Sequence, residues 1–140
     1  MGTCIFCSIA TKKVPADIVY EDEHTLAFLD AKPANPGHTL IIPKKHTENI
    51  FDIDAESWEH MARAARRVAP KVVEGTSAHG LNLIVNNGGA ASQLVFHAHM
   101  HLVPRFEGDG LTSWHGRSYV GNESAMIAEK IRNAHTLSPT

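Results

Sequence analysis

The chain has 140 residues, 43% of them hydrophobic and 20% charged, a composition typical of one globular domain with a substantial core. Its formal net charge of -2 excludes a general attraction to nucleic acid or acidic membranes, so any anion site must be local. The apolar runs are too short to span a bilayer, and no secretory signal pattern opens the chain. We therefore expect a cytoplasmic protein without a nucleic-acid or membrane partner.

The first part of the chain predicts a short helix or turn followed by three strands. Residues 4–10 form the turn or helix, with Phe6 and Ile9 facing inward. Alternating and β-branched residues then predict three strands, at 18–21, 25–30 and 38–43. The first two are close enough to form a hairpin, and a loop rich in proline and glycine precedes the third.

A long helix is predicted over 55–76, where apolar residues recur at helical spacing. Asp54 is a plausible N-cap and Gly75 a plausible C-terminal stop. Pro70 lies inside this pattern, and we expect it to kink or split the helix near its last turns.

The remaining segments complete the predicted architecture. A fourth strand covers 80–86, and a Gly-rich loop leads to a fifth strand at 97–103, which Pro104 ends. Residues 107–120 read as irregular and 123–135 as a short helix. We predict a single α+β domain spanning 1–140, with an antiparallel sheet of about five strands. The tail from about residue 107, which contains Trp114, either packs on a partner subunit or is a solvated loop.

Three histidines alternate with apolar residues in the fifth strand, at His97, His99 and His101. Period-2 alternation directs all three imidazoles to one face of a strand, with Cα atoms about 6.6 Å apart. Such a row suits a metal or an anionic substrate such as a phosphate, and a metal-free structural strand is the remaining alternative.

A neutral imidazole is a competent nucleophile towards phosphorus when an acceptor fixes its tautomer. The backbone carbonyl of His97 is a possible acceptor for the central His99. Flanking histidines would offset charge on phosphoryl oxygens, and the preceding Gly-rich loop brings N–H groups near phosphate. The same residues are also compatible with a catalytic zinc site.

The two cysteines form a Cys4-x-x-Cys7 pair. In a reducing compartment such a pair is more often a metal half-site or a redox dithiol than a structural disulfide. A redox role is the weaker of the two because the sequence has no thioredoxin-like βαβ pattern around the pair. Two buried thiols without a metal remain an alternative.

An ordered set of motifs over nearly the whole chain resembles the histidine-triad (HIT) family of nucleotide hydrolases and transferases. The motifs are the cysteine pair, Val-Tyr-Glu-Asp at 19–22, Leu-Ala-Phe-Leu-Asp at 26–30, Pro-Gly-His-Thr-Leu-Ile-Ile-Pro-Lys-Lys-His at 36–46, Asn86, and Gln-Leu-Val-Phe-His-x-His-x-His at 93–101. The third triad residue is His101 and not Gln, which argues against the nucleotidyltransferase branch of the family.

The resemblance implies a role for each matching residue. His99 would attack the α-phosphorus of a nucleotide conjugate to form a nucleotidyl-histidine, which water then hydrolyses to the nucleoside monophosphate. His38 and His101 would contact the phosphate, and the backbone of His97 would orient His99. The implied substrate-binding residues are Asn86 and Gln93 at the phosphate, Asp30 at the ribose hydroxyls, and Phe6, Ile9 and Phe28, which would sandwich the base. Without the resemblance, the apolar three read as core residues and Asp30 as a turn residue.

Zinc-containing bacterial members of the family also suggest a structural metal. Four ligands would come from Cys4, Cys7, His46 and His97, which form a closed Cys₂His₂ set. The side chain of His97 would then bind zinc, and its carbonyl would remain available to His99.

Two positions depart from the family pattern. Leu94 stands where many relatives have a small hydroxyl residue thought to help the leaving group, and Ser92 stands where glycine is common. Because leucine cannot donate a hydrogen bond, that role is not transferred to this chain. The Lys44–Lys45 pair reads as solvated, and the other histidines read as surface residues: His24, His60, His79, His115 and His135.

The sequence thus predicts a homodimeric HIT-fold hydrolase of nucleoside 5′-phosphoryl conjugates, with adenylates favoured. Both the dimer and the nucleotide substrate are implied by the resemblance. Two alternatives remain: a nucleotide-binding regulatory or interaction module with little turnover, and a metal-dependent hydrolase with the histidine strand as ligands. The sequence does not choose among phosphoramidate, polyphosphate, acyl and sulfate leaving groups.

Overall fold

The structure is a computed structural model, and it describes residues 4–135. Residues up to 109 and residues from 110 onward form two compact units. The first unit contains two helices and five strands: α1 (Ile5–Ala10), β1 (Ile18–Glu21), β2 (Thr25–Leu29), β3 (Thr39–Pro43), α2 (Ala55–Thr76), β4 (Gly80–Ile84) and β5 (Met100–Arg105). A single 3₁₀ turn covers Gly89–Ala91.

The five strands form one antiparallel sheet in the order β1-β2-β3-β5-β4. The α+β class and the five-stranded sheet were both predicted, and both are confirmed. The second, third and fourth strands are each one or two residues shorter than predicted. Because alternating side chains occupy opposite faces of a strand, the register decides which residues meet on each face.

The two faces of the sheet bury different clusters. On one face α2 packs Met61, Ala65 and Val68 against a row that includes Ile41 and Leu102. On the other face α1 packs Phe6 and Ile9 against four apolar strand residues, Leu26, Phe28, Leu40 and Ile42. The long helix therefore closes one side of the sheet, and the short helix only partly covers the other.

Helix α2 is continuous over its 22 residues, so the prediction that Pro70 would split it is wrong. Pro70 is exposed, and the carbonyl four residues earlier is at the surface, where water can bond it. Asp54 is the N-cap as predicted, and its side chain accepts a hydrogen bond from the N–H of Ser57. The helix ends at Thr76 and not at Gly75, with Ser77 in the left-handed conformation at the cap.

The predicted fifth strand is displaced along the chain. Strand β5 begins at Met100, and His97 and His99 lie in the segment that leads into it, with His97 in a bend. Pro104 does not end the strand, because its carbonyl, and hence its nitrogen, points away from β4 towards Asn35, whose amide donates to that carbonyl at 2.8 Å. No β4–β5 hydrogen bond is lost to the missing N–H.

The second unit contains an irregular stretch, as predicted, and helix α3 (Glu123–Arg132), which ends three residues before the predicted end at His135. None of its described residues is buried, and the Trp114 side chain is 88% exposed. Within residues 4–135, none of the helices has the length and apolar character needed to cross a membrane.

Candidate functional site

The site lies on the sheet face that α1 only partly covers. The register pairs Phe28 with Leu40 and Leu40 with His101, so these three side chains form a row across β2, β3 and β5. Two residues before His101, His99 is buried beneath the edge of the Phe6 ring, with centroids 5.1 Å apart at 83°. Of the predicted row of three imidazoles, His99 and His101 lie side by side with ring centroids 4.9 Å apart, whereas His97 is part of a cluster with Cys4 and Cys7, and only His101 belongs to β5.

The tautomer of His99 is fixed by the backbone. Its Nδ1 lies 2.7 Å from the carbonyl oxygen of His97. A carbonyl only accepts hydrogen bonds, so Nδ1 carries the proton and the lone pair is on Nε2. The ring is thus held as a neutral imidazole with its nucleophilic nitrogen free.

A second chain of hydrogen bonds fixes His38 and His101. The N–H of Ala34 donates to His38 Nδ1 at 3.0 Å, which leaves the proton of the neutral ring on Nε2. His38 Nε2 lies 2.9 Å from His101 Nδ1 and donates to it. His101 therefore carries its own proton on Nε2, the atom that remains to donate to a phosphate oxygen.

Burial keeps these imidazoles neutral. Desolvation lowers the pKa of His38 and His99 below their usual value of 6.5. It lowers the pKa of His97 and of His101 to about 4, with neighbouring histidines adding to the effect. At neutral pH all four rings are uncharged, which suits a nucleophile and hydrogen-bond donors.

A cavity of about 580 Å³, within the usual range for a small-molecule site, opens beside these histidines. It brings together most of the predicted substrate-binding residues with two of the predicted catalytic histidines: Phe6, Ile9, Phe28, Asp30, His99 and His101. Phe6 and Phe28 contact each other edge to face, with centroids 5.5 Å apart. The two rings form one wall of the cavity. A base can lie against this wall but cannot insert between the rings.

Two predicted substrate-binding residues are not among those lining the cavity, Asn86 and Gln93. The buried Gln93 side chain is bonded to its own surroundings. Its Nε2 donates to the carbonyls of Glu48 at 2.6 Å and Val95 at 3.1 Å, and its Oε1 accepts from the N–H of Gly88 at 2.8 Å. Gln93 thus braces the loop in front of the histidines.

The two cysteines and two histidines form a second cluster. The Sγ atoms of Cys4 and Cys7 lie 3.4 and 3.5 Å from His97 Nδ1, and His46 Nδ1 lies 3.1 Å from it. All four ligand atoms are within 4.8 Å of one another. For a tetrahedral zinc with bonds of about 2.0 Å to N and 2.3 Å to S, the nitrogen–nitrogen and nitrogen–sulfur edges are about 3.3 and 3.5 Å.

The His97 tautomer also fits a metal. Its Nε2 donates to the carbonyl of Pro43 at 2.7 Å, so the lone pair on Nδ1 points into the cluster. Both cysteines are free thiols, and burial next to Cys4 raises the pKa of Cys7. The predicted set Cys4, Cys7, His46 and His97 therefore has the geometry and donors of a closed zinc site.

Asp30, His38 and His101 also bring three potential ligand atoms within 4.8 Å. His38 Nε2 lies 3.7 Å from Asp30 Oδ2. Because the N–H of Ala34 occupies His38 Nδ1, Nε2 carries a proton and has no lone pair for a metal. The hydrogen-bond pattern of this group favours phosphate recognition over metal binding.

The other histidines lie away from the cavity. His79, His115 and His135 are exposed, as predicted. His24 and His60 stack on each other with centroids 3.8 Å apart, which leaves the His60 side chain only 28% exposed. The lysine pair does form surface ion pairs, Lys44 with Glu21 and Lys45 with Asp54.

Apart from the His97 carbonyl, which was the predicted acceptor for His99, the groups that fix the tautomers were not found from the sequence. They are backbone atoms of Ala34 and Pro43, which carry no side-chain signal. Lys32 and Asp17, which also line the cavity, were not singled out either. Both lie in loops that contain proline, and only the folded chain brings them to the same cavity as His99.

A neutral, oriented imidazole beside hydrogen-bond donors and an apolar cavity is an arrangement that can support nucleophilic attack on a phosphate ester. Among known protein families, the HIT domain model matches residues 11–108 of this chain. The crystal structure of a HIT family member from Bacillus subtilis is 38% identical, covers 98% of this chain and 100% of that one, and superposes with a TM-score of 0.88.

Two further solved structures are similar to this chain. A Zn-bound histidine triad family protein from Mycobacterium smegmatis is 43% identical, with 83% of this chain and 84% of that one covered and a TM-score of 0.75. A histidine triad nucleotide-binding protein from Candida albicans is 28% identical, with 93% and 95% covered and a TM-score of 0.82. This chain belongs to the HIT family, and thereby to a superfamily of nucleotide-binding proteins and nucleotide hydrolases.

Proposed function

We propose that the chain is a hydrolase that cleaves nucleoside 5′-phosphoryl conjugates, with adenylates favoured, at the α-phosphorus. The observation that carries this proposal is the 2.7 Å hydrogen bond from His99 Nδ1 to the carbonyl of His97. It leaves Nε2 as an unprotonated nucleophile whose orientation does not depend on a mobile side chain.

In the proposed first step, the Nε2 lone pair of His99 forms a bond to phosphorus, and the leaving group departs with the electron pair of its own bond. The Nε2–H of His101 donates to a phosphoryl oxygen as charge develops there, and His38 holds His101 in the donating tautomer. Water then attacks phosphorus, the N–P bond breaks, and the nucleoside monophosphate leaves.

The nucleoside would occupy the buried part of the cavity. The base lies against the wall of Phe6 and Phe28 with Ile9 beside it, and Asp30 accepts hydrogen bonds from the ribose hydroxyls. Asn86 remains a proposed phosphate-site residue. Gln93 acts by bracing the loop in front of the histidines.

We further propose that Cys4, Cys7, His46 and His97 hold one structural zinc ion. The Zn-bound relative from Mycobacterium smegmatis and the cluster geometry support this. When bound, the metal supplies a rigid cross-link between α1 and the segment before β5. Because the same residue, His97, offers its carbonyl to His99, the cluster also steadies the nucleophile.

The proposal includes a single-domain homodimer in the cytoplasm, where two reduced thiols can serve as metal ligands. Strand β4 is an edge of the sheet with Leu83 half exposed, and an exposed edge suits pairing with a second copy. The exposed apolar residues of the C-terminal unit, including Trp114, would pack on the partner. Light scattering of the full chain tests this, and a monomeric mass at micromolar concentration contradicts it.

The decisive experiment for the reaction is intact-mass analysis after the chain is mixed with several adenylates and quenched. A nucleotidyl adduct is expected in the wild type and absent in His99→Gln, while the exposed His115→Gln serves as the matched control and retains the adduct. Binding of AMP without adduct or turnover on any adenylate would favour the alternative binding module. Activity that survives His99→Gln but not chelation would favour the metal-dependent alternative.

The zinc proposal is tested by elemental analysis of the purified chain. One zinc per chain is expected, and Cys7→Ser should lose it with a lower melting temperature. A metal-free chain of unchanged stability would contradict the proposal.

A further inference from the structure

The hydrogen bond between His38 and His101 can run in two directions. Either His38 Nε2–H donates to His101 Nδ1, or His101 Nδ1–H donates to His38 Nε2. The first direction leaves a proton on His101 Nε2, where the proposed mechanism needs a donor, and the second leaves a lone pair there, which a phosphate oxygen repels. The N–H of Ala34 on His38 Nδ1 selects the first direction. Asp30 Oδ2, 3.7 Å from His38 Nε2, favours the same direction but lies beyond hydrogen-bond distance.

Asn35 attaches the loop that contains Ala34 to the rest of the fold. Within 31–36 it is the residue that is partly buried, and its neighbours are exposed. Its Nδ2 group donates one hydrogen bond to the carbonyl of Pro104 at 2.8 Å and one to Asp109 Oδ2 at 3.0 Å, which uses both of its protons. Of the hydrogen bonds that the described residues 31–36 make, these two are the ones that reach a distant part of the chain.

The sheet register explains why Asn35 can reach β5. Strand β3 begins at Thr39, which pairs with Leu102, and β5 continues past that pair. The carbonyl of Pro104 therefore points to the side where β3 has not yet begun, and the amide of Asn35 takes the place of a strand partner. Because His101 is on the same strand, Asn35 connects the loop that orients one ring to the strand that carries the other.

The Asp109 carboxylate is a fixed anchor for this amide. Its side chain is only 8% exposed. It accepts hydrogen bonds from Arg105 Nε at 2.9 Å, from Arg105 Nη2 at 3.1 Å and from the N–H of Phe106 at 3.0 Å. Arg105 Nη1 donates in turn to Asn82 Oδ1 on β4 at 2.7 Å. The bond from Asn35 is thus a charge-assisted one to an acceptor that several donors hold in place.

We propose that Asn35, anchored by Asp109, is a positioning residue that keeps the Ala34 N–H on His38 and thereby keeps the proton of His101 on Nε2. Without this attachment the loop releases His38 Nδ1, which can then take a proton while the bond between the rings reverses. Each ring exchanges one N–H for another, so both stay neutral. The effect on the rate rests on the proposed hydrolysis, whereas the effect on the tautomer requires no substrate.

Imidazole ¹⁵N spectra of the full chain at neutral pH, without substrate, measure the tautomer directly. The wild type should have the proton of His101 on Nε2. Asn35→Ala should show both tautomers, with their ratio shifted by about fivefold, the effect of one hydrogen bond. Asn82→Ala is the matched control, because it removes an asparagine bond to the same Arg105 without touching the loop, and it should leave the tautomer unchanged. Asp109→Asn keeps the shape of the anchor without its charge and should shift the ratio in the same direction.

The rate is measured with the p-nitrophenyl ester of AMP. Its leaving group departs as p-nitrophenolate without a proton, so the rate reports on the donor to the phosphoryl oxygen. Asn35→Ala should lower kcat/KM about tenfold, which is part of the roughly 10²–10³-fold that complete loss of such a donor costs. In a His101→Ala background the same change should cost little more, because Asn35 acts through His101.

The outcomes separate the two proposals. A single Nε2–H tautomer of His101 in both the wild type and Asn35→Ala would overturn the inference, whatever the rates. An equal loss of rate with and without His101 would also overturn it, because that loss would be a general structural effect. Absence of both the nucleotidyl adduct and p-nitrophenolate release in the wild type would overturn the proposed hydrolysis, and the spectra would still decide the role of Asn35.

Discussion

Acidification should destabilise the folded chain through histidines that burial keeps neutral. In the native state the pKa of His97 and of His101 is about 4, against 6.5 for an unburied imidazole. At pH values between these two pKa values, the ring is protonated in the unfolded chain but not in the folded chain. The free energy of unfolding therefore falls as the pH falls from about 6.5 towards 4. From pH 7 to pH 5 the loss is about 2 kcal/mol for each of the two rings.

The window above pH 5 isolates the histidines. The fold also lowers the pKa of Asp22 and Asp52 below their usual 3.8, and these carboxylates add stability above that value. Their contribution is lost only as the pH falls through and below about 4, so it does not change between pH 6.5 and 5. The slope of the unfolding free energy against pH in this range therefore depends on how many imidazoles are buried.

Urea unfolding at half-unit steps from pH 7 to pH 5 measures that slope. His101→Gln removes one titrating ring and should lower the slope by up to about 1.4 kcal/mol per pH unit, whatever it does to the overall stability. His115→Gln replaces an exposed imidazole and should leave the slope unchanged. Equal slopes for the wild type and His101→Gln would refute the conclusion that burial keeps His101 neutral.

Three further predictions follow from the geometry of single residues. The reaction rate should fall on acidification with a midpoint below pH 6.5, because the pKa of His99 is lowered and protonation of Nε2 removes its lone pair; a midpoint above 6.5 contradicts this. Gly37→Ala should destabilise the fold by about 1–3 kcal/mol, since φ is +91° and an added Cβ collides with the methyl of Thr76. Adding Thr76→Ser, which removes that methyl, should recover part of the loss in a double-mutant cycle, and strict additivity would exclude the collision. Gln93→Leu should cost about 2 kcal/mol or more in urea unfolding, because it leaves buried backbone groups at the loop unpaired; an unchanged midpoint would show that Gln93 does not brace the loop.

Local patterns in the sequence were sufficient to predict the strands and the long helix. Alternation predicted the strands, the helical spacing predicted the long helix, and Asp54 marked its start. The errors at Pro70 and Pro104 share one cause. A proline is tolerated where no strand faces its missing N–H, or where water can bond the carbonyl that the missing N–H leaves without a partner, and both depend on which side of the helix or strand the proline faces. The sequence does not contain this information without the tertiary structure.

The site was only partly predictable. The residue types and their order indicated three histidines, a carboxylate and two thiols for phosphate and metal chemistry, and the structure brings the two sets together as separate clusters. Which nitrogen carries the proton was predicted only for His99, through the carbonyl of His97. At the other rings it depends on backbone groups of Ala34 and Pro43, which reach the rings only after the sheet has formed.

By itself, then, the sequence determined which side chains are available, because alternation along one strand directs every second residue to the same face. The tertiary structure decided what each can do. It buries the rings, which lowers their pKa, and it supplies the carbonyl and N–H groups that choose their tautomers. In the proposed mechanism, three histidines that are equivalent in the sequence become a metal ligand, a nucleophile and a hydrogen-bond donor to the phosphate. They differ because desolvation and backbone hydrogen bonds differ at each ring.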